Sequence, residues 1–272
     1  MEVAEHLGQV RTFALGPIAL VPTMGALHLG HAELIHQARQ LSEAVLVSIF
    51  VNPLQFDDPA DLEKYPRTPE SDIAIARQSG ARVLWVPKYD EIYPGPIEKI
   101  NVGHVGTLYE GAMRKGHFEA VLTVVKRFFD LVHPTWALFG EKDYQQLFLI
   151  KAMVAELNLD IEIVAVPTVR EVNGLAISSR NVRLNAKDLE VALVISQGLT
   201  NASEMGSVDS MQRELDRSLA SQPGFKAEYA VIIDESDFSL ATDATAKKRG
   251  LVAGWVNGVR LIDNMPMTGA TQ

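Results

Sequence analysis

The chain has 272 residues, 47% of them hydrophobic and 22% charged, a balance that supports one large core or two modest ones and excludes a disordered chain. Its formal net charge of −9 speaks against a broad nucleic-acid surface, which needs an excess of Lys and Arg. Cysteine is absent, so thiolate chemistry, disulfides and cysteine-based zinc sites are excluded, and a reducing compartment fits.

The opening segment "MEVAEHLGQVRTF" has neither the basic nor the apolar region of a signal peptide, and no stretch has the length of a membrane span. The expectation is a soluble cytoplasmic protein with no membrane partner. Five near-continuous apolar runs follow in the first 166 residues: Ile18 to Val21, Val45 to Phe50, Val83 to Val86, Trp136 to Phe139 and Ile161 to Val166. Such runs suit parallel strands covered on both faces. Between them lie helical repeats. Leu34, Ile35, Ala38 and Leu41 share one face, as do Val121, Val124, Val125, Phe128 and Val132. Thr68-Pro69 reads as an N-cap with proline in the first helical position, and Gly80 closes that helix. This alternation predicts an α/β fold, a Rossmann-like parallel sheet over residues 1–170.

The pattern changes after "VREVNGLAISSRN". A helical region runs from about Asn185 to Leu219, followed by "AEYAVIID" and by "LVAGWVNGVRLID", in which Asn257-Gly258 reads as a two-residue hairpin turn. Residues 171–272 are therefore expected to form a smaller α+β domain.

Chemistry is expected where strands end, since open α/β sheets place ligands at the carboxyl edge. "PTMGALHLGH" holds His28 and His31 at the start of a helix, without the Lys-Ser/Thr ending of a P-loop and without GxGxxG. A zinc site would need a third ligand; anion recognition by histidines at a helix N-terminus, or plain helix capping, are the other readings. "FGEKDYQQL" places a glycine directly after a strand, with Lys142 as cation and Asp143 as acceptor. "GLAISSRN" supplies two hydroxyls and a guanidinium suited to polyphosphate.

Taken in order, "PTMGALHLGH", "SIFVNPLQF", "YPRTPE", "GHFEAVLTVV", "FGEKDYQQL" and "VPTVREVNGLAISSRN", with a weaker continuation to "RLIDN", resemble the pantothenate synthetase family. The resemblance implies an ATP-dependent, AMP-forming ligase. Such an enzyme joins (R)-pantoate to β-alanine through a pantoyl adenylate, with Mg²⁺ on the phosphates and a homodimeric assembly. It implies ATP contacts from Met24, Gly25, Ala26, Leu27, His28, Leu29, Gly30 and His31, from Gly140, Glu141, Lys142 and Asp143, and from Val169, Ile177, Ser178, Ser179 and Arg180. His31 takes the family's proton-donor role, with His28, Lys142 and Arg180 as further catalytic residues. Gln55 and Gln146 are implied to hold pantoate, beside an apolar bed of Pro22, Met24 and Phe56. Residues 1–170 would bind ATP and pantoate, and 171–272 would act as a lid.

The sequence also departs from the family pattern. Ser71-Asp72 stands where paired acids are frequent, which leaves Asp72 as the candidate magnesium ligand and the metal site unassigned. "RKGHF" replaces Arg-Pro-Gly-His-Phe, Ala120 replaces a common glycine, Leu29 an acidic residue and Asn173 an aspartate. Two rival readings remain. One is an adenylyltransferase of the same fold, which would have no use for Gln55 and Gln146. The other is a catalytically silent nucleotide-binding protein.

Overall fold

The computed structural model describes residues 1–56 and 62–269. The chain forms two compact units, Met1–Pro167 and Thr168–Gln272.

The first unit is built on six parallel strands: β1 (Glu2–Ala4), β2 (Ile18–Thr23), β3 (Ala44–Ile49), β4 (Val83–Trp85), β5 (Trp136–Gly140) and β6 (Glu162–Val166). Their spatial order is β1-β4-β3-β2-β5-β6, so the direction of winding reverses between β2 and β5. Five of these strands coincide with the apolar runs. β1 does not, because only three residues form it, and Glu2 and Val3 are exposed.

The near-continuous hydrophobicity of the central strands has a direct cause. Alternate side chains point to opposite faces, and both faces are covered. Leu20, Leu46, Trp85, Ala137 and Phe139 belong to one core, together with Val121, Val124, Val125 and Phe128 from the helix His117–Val132. Ala19, Val21, Val45, Val47 and Leu138 belong to the other, with Leu34, Ile35 and Ala38 from the helix Leu29–Leu41 and Ala76 from the helix Pro69–Ser79. Burying each such Val, Leu or Phe is worth roughly 1.5–3 kcal/mol. The helix Pro69–Ser79 begins after Thr68 with proline in its first turn and ends at Gly80, whose φ of 101° is the left-handed conformation that glycine accepts at least cost.

In the second unit the helices Ala186–Ser203 and Val208–Ala220 pack on an antiparallel sheet of β7 (Phe225–Asp234), β8 (Lys248–Val256) and β9 (Val259–Met267). Ile195, Leu199, Met211, Leu215, Val252 and Met267 form its core. The two helices approach closely at Gly198, where a Cβ would stand 3.2 Å from the Cβ of Ser218. Asn185 and Ser207 cap them, accepting from the backbone N–H of Asp188 and Ser210. β8 and β9 are joined by Asn257 and Gly258 with φ of 45° and 74°, the doubly left-handed turn that fits strand twist.

Candidate active site

The carboxyl ends of β2, β3 and β5 adjoin in the sheet, and the motif residues of the first unit lie there. The Thr23 hydroxyl donates to the carbonyl of Ser48 (2.7 Å) and accepts from the N–H of Gly25 (3.2 Å), tying the end of β2 to β3. The next residues turn through left-handed conformations, Gly25 at φ 83° and Ala26 at φ 50°. For alanine that region is strained. A buried carboxylate holds it: Asp72 accepts from the N–H of Ala26 (3.1 Å), the N–H of Leu27 (2.8 Å) and the hydroxyl of Thr68 (3.0 Å). Asp72 is only 2% exposed. Both its oxygens serve this turn, so the acid read from the sequence as a magnesium candidate fixes the backbone here. Among the described residues no group of three or more His, Asp or Glu side chains forms a metal site.

The turn delivers His28 to the N-cap of the helix Leu29–Leu41. Its Nδ1 accepts from the N–H of Gly30 (3.1 Å), while His31 Nδ1 accepts from the N–H of His28 (3.2 Å). Capping and anion recognition are therefore compatible readings of the pair. A ring nitrogen that accepts carries no proton, so the hydrogen-bond network assigns the proton of each neutral ring to Nε2. Neither Nε2 has a hydrogen-bond partner among the described residues. The rings lie 4.1 Å apart. Burial, followed by the Lys142 charge, lowers the His28 pKa to about 4. Burial, then His28 and Lys142, lowers that of His31 to about 3. Both are thus neutral N–H donors near pH 7, and the fixed positive charge beside them is Lys142.

Lys142 sits in the turn Glu141–Asp143 that follows β5, its side chain 19% exposed. Gly140 precedes this turn with φ of −76°, and among the described residues, its two chain neighbours aside, no atom lies within 4 Å of where its Cβ would be. The fold itself places no demand for glycine there. Leu29 is 65% exposed on the first turn of its helix.

After β3, a short turn Pro53–Gln55 is capped by Asn52, whose Oδ1 accepts from the N–H of Leu54. Asn52 is 1% exposed; its amide donates to Gln55 Oε1 and to the Ala120 carbonyl, and it accepts from the Tyr93 hydroxyl, each at 3.3 Å. Gln55, 8% exposed, reaches the sulfur of Met24 with Nε2 at 2.9 Å. Its carbonyl lies 3.0 Å from His117 Nδ1, and Arg114 donates to His117 Nε2 at 2.9 Å. Because guanidinium only donates, His117 must be neutral with its proton on Nδ1. Burial, then the Arg114 charge, lowers its pKa to about 4.

The adjacent glutamines of "DYQQL" separate by helix face. Gln145, 4% exposed, accepts from the N–H of Glu110 and donates to the carbonyls of Val105 and Leu108. Gln146 is half-buried, and its side chain has no hydrogen-bond partner among the described residues.

The structure therefore brings Met24, His28, His31, Gln55 and Lys142 to one edge of the first unit. It adds Asn52, Asp72, Arg114 and His117, to which sequence reasoning gave no firm role. Asn52 had a signal in the Asn-Pro step, a turn initiator. Val169, Ile177, Ser178, Ser179 and Arg180 lie in the second unit. There the N–H of Ile177 donates to the carbonyl of Val169 (3.0 Å), and Ser178 Oγ accepts from the N–H of Arg180 (3.2 Å).

Comparisons with known proteins give the family. The family described as Pantoate-beta-alanine ligase matches residues 1–266. The pantothenate synthetase of Acidothermus cellulolyticus is 43% identical over 279 aligned positions, covering 98% of this chain and 92% of that protein. The crystal structure of pantothenate synthetase from Thermus thermophilus superposes with a TM-score of 0.94 at 41% identity, over 97% of this chain and 99% of that one. That of the pantoate-beta-alanine ligase from Francisella tularensis, complexed with beta-gamma ATP and beta-alanine, gives 0.81 at 34% identity, over 97% of each chain. A parallel sheet with its motif residues at one edge, motifs in one order, and matches spanning nearly the whole chain lead to one conclusion: this chain belongs to the pantoate-beta-alanine ligase family.

Proposed function

We propose that the site adenylates pantoate with ATP and then passes the pantoyl group to β-alanine, releasing pyrophosphate, AMP and pantothenate. The observation that carries the reading is the convergence of two neutral Nε2–H donors, one lysine cation and the Gln55 amide at a single strand edge.

In the first step a pantoate carboxylate oxygen bonds to the α-phosphorus and the bond to pyrophosphate breaks. Two anions must meet, so fixed donors and positive charge are needed where charge gathers. Lys142 supplies charge, and His28 and His31 supply N–H groups beside a helix N-terminus. Met24 to His31 and Gly140 to Asp143 are the proposed nucleotide contacts of the first unit. Val169 and Ile177 to Arg180 are those of the second, whose role is that of the lid. The open space at Gly140 supports close approach of a ligand to its backbone. Gln55 and Gln146 hold pantoate, whose hydroxyls and carboxylate suit an amide that both donates and accepts. In the second step the β-alanine amine attacks the activated carbonyl and AMP leaves. The enzyme's part is orientation, and no covalent enzyme intermediate is required.

The described residues do not form a cage for Mg²⁺, since the oxygens of Asp72 are committed to the turn. Mg²⁺ enters this reading as the counter-ion that ATP carries, and no step is assigned to it. A homodimer in the cytoplasm completes the proposal; light scattering of the purified protein tests the dimer. No helix among the described residues is long and apolar enough to cross a membrane.

Isotope exchange tests the order of chemistry. Labelled pyrophosphate should enter ATP when enzyme, Mg-ATP and pantoate are present, with no need for β-alanine. His31→Ala and Lys142→Ala should each slow this exchange roughly a hundredfold or more while the far-ultraviolet circular dichroism is unchanged. Exchange without pantoate would favour an adenylyltransferase. Exchange that waits for β-alanine would refute the two-step order.

A further inference from the structure

The "RLIDN" segment, Arg260 to Asn264, has no part in the site described above, yet Asp263 and Asn264 are among the most buried polar residues of the second unit, 5% and 4% exposed. Their partner is Arg170. Its guanidinium makes a two-point contact with the Asp263 carboxylate, NH1 to Oδ2 at 2.6 Å and NH2 to Oδ1 at 2.9 Å. The same two nitrogens also donate to the carbonyls of Gly174 and Asn264, both at 3.1 Å. Asn264 Oδ1 accepts in turn from Arg249, whose Nε lies 2.7 Å from Glu235.

Arg170 is the base of a tight turn. Gly174, at φ 91°, closes it by donating to the Glu171 carbonyl, and Arg170 bridges to Ala176. The segment leaving this turn runs from the Ala176 bridge through Ile177 directly into Ser178, Ser179 and Arg180. One guanidinium thus fastens both the start and the tip of the turn to β9, in the geometry that makes Arg–carboxylate pairs directional. The core of the second unit does not depend on it, because Leu199, Leu215 and Val252 are buried among apolar neighbours.

We infer that Asp263, acting through Arg170, is a positioning residue that sets the course of Ile177 to Arg180. The inference rests on the proposed reading of those residues as ATP contacts. A residue that holds such a loop acts on nucleotide use and leaves pantoate recognition, assigned to the first unit, unchanged. The "RLIDN" segment thereby gains a structural role, in which its acid anchors a loop remote in sequence and its asparagine joins the anchor to Arg249.

The test is steady-state pyrophosphate exchange with Asp263→Asn, Arg180→Ala and the double variant, reading KM for ATP at saturating pantoate and KM for pantoate at saturating ATP. Removing a charge-assisted two-point contact should raise KM for ATP on the order of tenfold in Asp263→Asn. KM for pantoate should stay within about twofold, the resolution of a small surface-type perturbation. The double variant should be less impaired than the product of the single effects, because both act through one loop. An unchanged KM for ATP in folded Asp263→Asn, equal shifts for both substrates, or strict additivity would overturn the inference. If Arg180→Ala leaves ATP use unchanged, the reading of the loop itself fails, which is a separate result. Should Asp263→Asn not fold, Arg170→Lys keeps the charge and loses the two-point geometry, and the same readouts decide.

Discussion

Asp72 shows how much of a residue's part lies in partners that the sequence keeps out of sight. A lone acid beside a phosphate motif invites a metal, but this carboxylate accepts three hydrogen bonds from protein donors, two of them from the left-handed turn at Ala26 and Leu27. Its loss therefore acts through backbone geometry. Asp72→Asn replaces one acceptor with a donor that faces a backbone N–H, and should slow pyrophosphate exchange roughly tenfold or more. The Mg²⁺ concentration needed for half-maximal rate should not change. Ala26→Gly, which removes the penalty of a left-handed alanine, should recover part of the loss in the Asp72→Asn background. A marked rise in the Mg²⁺ requirement, with no recovery from glycine, would instead make Asp72 a metal ligand. No local pattern reveals such a role, since the contact joins positions far apart in sequence. The histidines were partly legible: their spacing showed a helix start, but not that their Nδ1 atoms cap it and that both rings are neutral.

At the scale of elements, apolar runs gave away the buried parallel strands, because coverage on both faces leaves no polar positions in them. β1 was illegible for the opposite reason, being short, at the sheet edge and exposed on two of its three residues. The "DYQQL" pair marks a finer limit. Sequence order alone does not tell which of two neighbouring glutamines is bonded to the protein's own backbone, whereas helical rotation separates them fully. Gln145 bonds three backbone groups around the helix Tyr109–Met113, so Gln145→Ala should lower stability, by roughly 1–3 kcal/mol for the partners left unpaired. Gln146→Ala should leave the urea midpoint unchanged and weaken pantoate binding by calorimetry, with ATP binding preserved. Equal losses of ATP and pantoate affinity in Gln146→Ala would contradict that division. The turn Pro53–Gln55, held by Asn52 and His117, belongs to the same class of feature: its residues were visible as a motif, and its wiring was not.

Across the whole molecule, three imidazoles, His117 buried and His28 and His31 partly so, tie stability to pH. His28, His31 and His117 have folded pKa values of about 4, 3 and 4, against 6.5 for an ordinary histidine. Between those values the unfolded chain binds more protons than the folded one, so stability is fully present above about pH 6.5 and declines as the pH falls toward 4. His117, the most enclosed, should account for on the order of 2 kcal/mol of the loss by pH 5, and all three for a few kcal/mol together. Urea unfolding at pH 7 and pH 5 measures it, and His117→Gln should flatten the slope; equal stability at both pH values would refute neutral burial. The order of the sheet carries a consequence of another kind. Ala19 pairs with Trp136 and Leu20 with Ala137, so the middle of the sheet is closed by the pairing of two segments between which β3, β4 and the helices that cover them intervene in the chain. During synthesis β1, β2, β3 and β4 emerge while β5 and Lys142 are still unmade. The histidine turn then waits, half of a site on half of a sheet, with one flank of β2 open. Closing that flank is a long-range event, and long-range pairing of this kind is slow and leaves a strand edge open to wrong partners until it is complete.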